Sequence, residues 1–148
     1  MTDAENSGNR MGATGAMRAE RETIGGLLER ARARLQRLEP AAAHEAQANG
    51  ALLVDTRCGE LRRESGVIPG SVHVPLSVLY WRLDPASAHR DPGLADPERP
   101  VILVCAHGYS SSLAAATLLD LGFRGATDIV GGFEAWAAAG LPTVPAPD

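Results

Sequence analysis

"VILVCAHGYSSSLAAATLLDLGF", residues 101–123, decides how the rest of the chain is read. It opens on an apolar run too short for a helix, and such runs mark strands of a parallel sheet buried on both faces. It closes on an alanine- and leucine-rich stretch from Ser111 that reads as a helix. Between them the chain must turn sharply within "AHGYSS", where Gly108 permits a positive φ. Cys105 therefore ends a buried strand and faces a helix N-terminus, the place where open α/β sheets build active sites.

Working outward, the same grammar recurs. "ALLVDT" (51–56), "SVHV" (71–74) and "TDIV" (127–130) read as further strands, and "RLQRL" (34–38) as a short one beside them. Helices are expected at "PAAAHEAQAN", opened by Pro40 and closed by Gly50, at "PLSVLYWRL", and at "GGFEAWAAAG". "GVIPGS" is turn chemistry, and "DPASAHRDPGLADPERP" an exposed loop. Strands alternating with helices predict an α/β fold with an open, mainly parallel five-stranded sheet and helices on both faces. Residues 1–20 read as a disordered tail, 21–33 as an amphipathic helix carrying Ile24, Leu27, Leu28 and Ala31 on one side, and 34–148 as the globular domain.

Bulk composition narrows the function classes. With 148 residues, 45% hydrophobic and 22% charged, the chain is one domain's worth of ordinary globular sequence. A net charge of −4 gives no general attraction to nucleic acid or anionic membranes, so neither is an expected partner. The start has no signal-like apolar region and no apolar stretch approaches a membrane span, which points to the cytoplasm. Two cysteines, Cys58 and Cys105, are too few for a secreted disulfide framework and suit a reducing compartment. The four histidines show no ligand spacing, so no metal site is expected.

The loop after Cys105 explains the cysteine. Consecutive backbone N–H groups of Ala106, His107, Gly108, Tyr109, Ser110 and Ser111 can converge on the sulfur. Together with the positive end of the following helix they favour thiolate over thiol, an activation that needs no histidine base.

Four segments, "LLVDTR", "GVIPGSVHVP", "VILVCAHGYSS" and "IVGGFEAWAAAGLP", appear in an order and spacing that resemble the rhodanese family of single-domain sulfurtransferases. The resemblance implies a persulfide mechanism: Cys105 takes a sulfane sulfur from a small donor such as thiosulfate and passes it to cyanide, a small thiol or a protein acceptor. No cofactor is implied. Asp55 and Arg57 match family positions and are read as fold-stabilising partners rather than substrate contacts. The loop departs from the commonest family pattern, because Ala106 and Ser110 stand where arginines often do. Arg82, in the aromatic and cationic cluster "YWRLDP", is the candidate chosen to replace those cations. His107 is read first as a solvent-facing loop residue, and alternatively as a group that titrates near neutral pH. Cys58, at the end of a neighbouring strand, is a candidate resolving thiol for an oxidised or persulfidated Cys105.

The rival readings are a non-catalytic rhodanese-like module that binds a partner or senses sulfur or oxidants, and a cysteine phosphatase. Phosphatases grip phosphate with an arginine at the position held here by Ser111. A serine-hydrolase elbow fails at Ser112, which stands where that motif needs glycine.

Overall fold

The computed structural model describes residues 21–147, so the tail expected at 1–20 lies outside the described residues. The described residues divide into two units, the first ending at Arg30 and the second beginning at Ala31. The boundary falls within helix α1 (Ile24–Ala33). In the first unit Thr23 Oγ1 accepts the Gly26 N–H at 3.0 Å, satisfying an orphan donor of the opening turn. Arg30 pairs there with Glu22 at 2.9 Å.

The second unit runs α2 (Pro40–Ala48), β1 (Leu52–Asp55), α3 (Gly59–Ser65), β2 (Val72–His73), α4 (Leu79–Leu83), β3 (Val101–Val104), α5 (Ser110–Asp120), β4 (Thr127–Asp128) and α6 (Gly132–Ala138). A 3₁₀ turn, Leu76–Val78, leads into α4, so the helix expected over 75–83 is split in two. Helix α3 occupies "GELRRES", to which the sequence reading assigned no element.

The sheet is parallel throughout in the order β2-β1-β3-β4. It has four strands where five were expected. The missing one, at 34–38, is reduced to a single parallel bridge between Leu38 and Ile129. Its two bonds are Leu38 N–H to Asp128 O at 3.1 Å and Val130 N–H to Leu38 O at 2.8 Å. Longer pairing is blocked on both sides. The N–H groups of Arg34 and Leu35 are already spent on turns closing α1, while Glu39 caps α2 with Pro40 next in line.

Strands β1 and β3 carry four consecutive buried residues each, as a centre covered on both faces requires. Alternation sends Leu52, Val54, Val101 and Leu103 to one face, packed with Leu79, Leu118 and Phe123 from α4, α5 and the turn that follows. Leu53, Ile102 and Val104 go to the other, against Ala43 of α2 and Phe133 and Trp136 of α6. This places the carboxyl end of β3 between two packed layers, with Cys105 as the next residue. No helix among the described residues is long and apolar enough to cross a membrane.

Candidate active site

Cys105 is 7% exposed. Its sulfur accepts the Gly108 N–H at 3.1 Å and lies 3.2 Å from the Ser111 hydroxyl oxygen, to which the thiol donates. Burial acts most strongly on this group and opposes ionisation. The hydroxyl and N–H of Ser111, the hydroxyl of Ser110 and the N–H of Gly108 together outweigh it and hold the thiol below its ordinary range.

Backbone geometry makes the loop. Gly108 has φ +85°, and a Cβ there would sit 2.8 Å from the Gly131 nitrogen. Gly132 has φ +65°, and a Cβ on it would come within 2.6 Å of the Cys105 carbonyl oxygen. Gly132 therefore lets the start of α6 press against the back of the loop, whereas a Cβ on Gly131 would meet Ala135 of α6 itself at 2.6 Å. From there Phe133 N–H donates to the Cys105 carbonyl at 2.8 Å and Glu134 N–H to that of Ala106 at 3.1 Å. Because C=O and N–H point opposite ways across a trans peptide, holding these carbonyls against α6 turns the N–H groups of Ala106 and His107 the other way.

A buried polar network stands behind the sulfur. Ser111 Oγ donates to Asp128 Oδ2 at 2.7 Å, and Ser112 Oγ to the same oxygen at 2.8 Å. Arg37 closes on the carboxylate with Nε at 2.8 Å from Oδ1 and Nη2 at 3.2 Å from Oδ2. Arg37 Nη2 also reaches the Gly108 carbonyl at 3.1 Å, where Arg32 Nη2 donates at 2.7 Å. Arg32 Nε lies 3.2 Å from Ser112 Oγ, and its guanidinium stands 5.5 Å from the centre of the exposed Tyr109 ring.

Asp55 and Arg57, both fully buried, form a bidentate pair at 3.0 and 2.8 Å, joined by Arg62 at 3.2 Å. Arg57 also donates to the Gly66 carbonyl at 2.7 Å, and its guanidinium lies 3.9 Å from the Phe133 ring centre. Burial tends to raise the Asp55 pKa, but bonds from the side chain and backbone of Arg57, its charge, and Arg62 win and lower it. A cavity of about 300 Å³ opens beside the loop, with Arg57, Leu61 and Phe133 on one part of its lining and Ala106 and His107 on another.

His107 is exposed and pairs through Nδ1 with Glu134 at 3.1 Å. Cys58 is exposed at the N-cap of α3, beyond the end of β1, the strand that pairs with β3, whereas Cys105 is buried; both thiols are free. Arg82 lies in α4 and lines a different cavity with Trp81 and His89. The cations that do meet the loop are Arg32 and Arg37. They were missed, together with Asp128 and Ser112, because each arginine lies 71 to 91 positions from its partners in sequence. An acid inside the apolar "TDIV" run was the one local sign of a buried network.

Comparison with known proteins agrees with this architecture. Residues 39–139 match the family model of the rhodanese-like domain. Thiosulfate sulfurtransferase GlpE of Pseudomonas savastanoi pv. phaseolicola is 38% identical over 103 residues, spanning 70% of this chain and 88% of its own. A Rhodopseudomonas palustris protein of unknown function, described as "Possible Tyrosine Phosphatase", superposes with a TM-score of 0.77 at 32% identity over 83% of this chain and 95% of its own. The polysulfide-sulfur transferase homodimer of Wolinella succinogenes shares the fold, with a TM-score of 0.61 at 24% identity over 88% of each chain. With the family model matched across most of its globular unit, the chain belongs to the rhodanese-like domain family.

Proposed function

We propose that the chain is a rhodanese-type sulfurtransferase in which Cys105 carries the sulfur. The observation that carries this reading is the sulfur of Cys105, favoured as thiolate by Gly108, Ser110 and Ser111 at the end of a central strand. The curated sulfurtransferases to which the chain is 36 to 39% identical support the same class of reaction.

In the first half-reaction the Cys105 thiolate attacks the outer sulfur of thiosulfate. The S–S bond of the donor breaks, its electron pair leaves with sulfite, and Cys105 becomes a persulfide anion. In the second, a thiolate or cyanide attacks the outer sulfur, and the Cys105 thiolate is released as leaving group. The Gly108 N–H, which already meets the sulfur, stabilises the anion in both halves, joined by the N–H groups of Ala106 and His107 that are turned away from α6. The cavity beside Ala106 and His107 offers room for an acceptor of a few heavy atoms.

Intact mass after brief exposure to thiosulfate tests the reading. Wild type gains about 32 Da, one sulfur, removable by cyanide, and Cys105→Ser gains nothing. Absence of any adduct from sulfane donors would favour the binding or sensing module instead.

A phosphatase is disfavoured by the cations. Ser111 occupies the position from which that chemistry needs a guanidinium, and Arg32 and Arg37 are engaged with a carbonyl, a hydroxyl and a carboxylate. Hydrolysis of p-nitrophenyl phosphate is expected to be no faster with wild type than with Cys105→Ser.

A further inference from the structure

Helix α6 holds the loop at the Cys105 and Ala106 carbonyls, and the peptide unit joining Gly108 to Tyr109 is held from elsewhere. Its carbonyl accepts two guanidinium bonds, from Arg32 at 2.7 Å and Arg37 at 3.1 Å. Neither arginine belongs to the segment matched by the family model, which begins at residue 39. Arg32 comes from the last turn of α1 and Arg37 from the stretch between α1 and α2, and each has its own anchor: Arg37 on buried Asp128, Arg32 on Ser112.

We propose that Arg32 and Arg37 are positioning residues for sulfur transfer, holding the Gly108 carbonyl on the outer side of the loop so that the Tyr109 N–H faces the sulfur carried by Cys105. The inference rests on the sulfurtransferase reading above. Two charged donors on one carbonyl also polarise its peptide, which strengthens the N–H at the other end as a donor. Positive charge thus acts on the persulfide anion through the backbone, in a loop that carries Ala106 and Ser110 where cations are commonest in the family. Arg82, whose side chain lines another cavity, has no place in this arrangement.

A positioning role and a donor-binding role separate in steady-state kinetics with thiosulfate and cyanide. Arg32 is partly exposed, and its removal leaves the Arg37–Asp128 pair intact, so Arg32→Met is the primary variant. It is expected to lower kcat about tenfold while the KM for thiosulfate stays within about twofold, the pattern of an interaction that strengthens after binding. Arg32→Lys is expected to recover part of kcat, because an ammonium can reach the Gly108 carbonyl but cannot also span to Ser112. Arg37→Lys, which keeps a charge against Asp128, is expected to fall in the same direction. Thermal melts of each variant confirm that the fold is intact.

An unchanged kcat in Arg32→Met overturns the proposal. A rise in KM that accounts for the whole loss in kcat/KM also overturns it and makes Arg32 a donor ligand. If wild type itself takes up no sulfur, the sulfurtransferase reading fails first and this inference with it. Sulfur uptake by wild type with no difference in the variants defeats this inference alone.

Discussion

Ser111 has one hydroxyl proton and two neighbours able to accept it, the Cys105 sulfur at 3.2 Å and Asp128 at 2.7 Å. While Cys105 is a thiol, its S–H donates to Ser111 and the serine proton serves Asp128. Once the thiol ionises, the sulfur becomes the needier acceptor, and the serine proton can turn to it because Ser112 and Arg37 continue to satisfy the carboxylate. Ser111→Ala removes that response. Its thiol pKa is expected to rise relative to wild type, seen as a higher-pH midpoint for alkylation by iodoacetamide. Gly108→Ala acts differently, through the backbone. Its positive φ alone costs about 1–2 kcal/mol, and the Cβ contact with Gly131 adds to that, so both the melting temperature and sulfur uptake should fall.

At the scale of elements, the buried Asp55–Arg57 pair ties β1 to the start of the chain that becomes α3 and reaches Gly66 just beyond it. Removing Arg57 leaves the buried Asp55 carboxylate with only the longer bond from Arg62, and Arg57→Met is expected to cost about 3 kcal/mol in denaturant unfolding. The pH dependence has a definite sign. Asp55 ionises more readily in the folded chain than in the unfolded one, so its stabilisation is complete above the ordinary carboxylate range. It is lost as pH falls below that range through the depressed native value. Arg57→Met should lose this acid-side slope, which urea midpoints across acidic pH will report. Elements of this kind were largely legible in the sequence. The apolar runs of β1 and β3 and the turn after Cys105 follow from period and composition. The fifth strand misled because "RLQRL" has strand-like spacing, while the donors it needs are consumed by the end of α1 and by Pro40. The loop's cations were illegible for a different reason. Nothing local distinguishes Arg32 and Arg37 from Arg34, which makes an exposed pair with Asp120 instead.

At the scale of the molecule, the segment before residue 39 contributes to a site that the family segment otherwise contains. It supplies Arg32, Arg37 and the Leu38 bridge beside β4. Two deletions separate the contributions. A chain beginning at residue 22 keeps α1 whole and is expected to retain sulfur uptake from thiosulfate. A chain beginning at residue 39 lacks both arginines and the bridge, and is expected to melt at lower temperature and lose most of that uptake. Equal uptake by the two would remove the N-terminal segment from the account of the site.

The close seating of Gly131 and Gly132 against the loop has one more effect. The start of α6 grips Cys105 and Ala106 by their carbonyls, so the course of the turn there is set by backbone bonds and not by the side chains of Ala106 and His107. The side chains of Ala106 and His107 are thereby free to vary, and beside them Tyr109 stands 62% exposed. Substrate preference can drift by substitution at these positions while the reactivity of the nucleophile stays constant. In such a loop, selectivity and reactivity are separately inherited traits, open to separate selection in nature or in the laboratory.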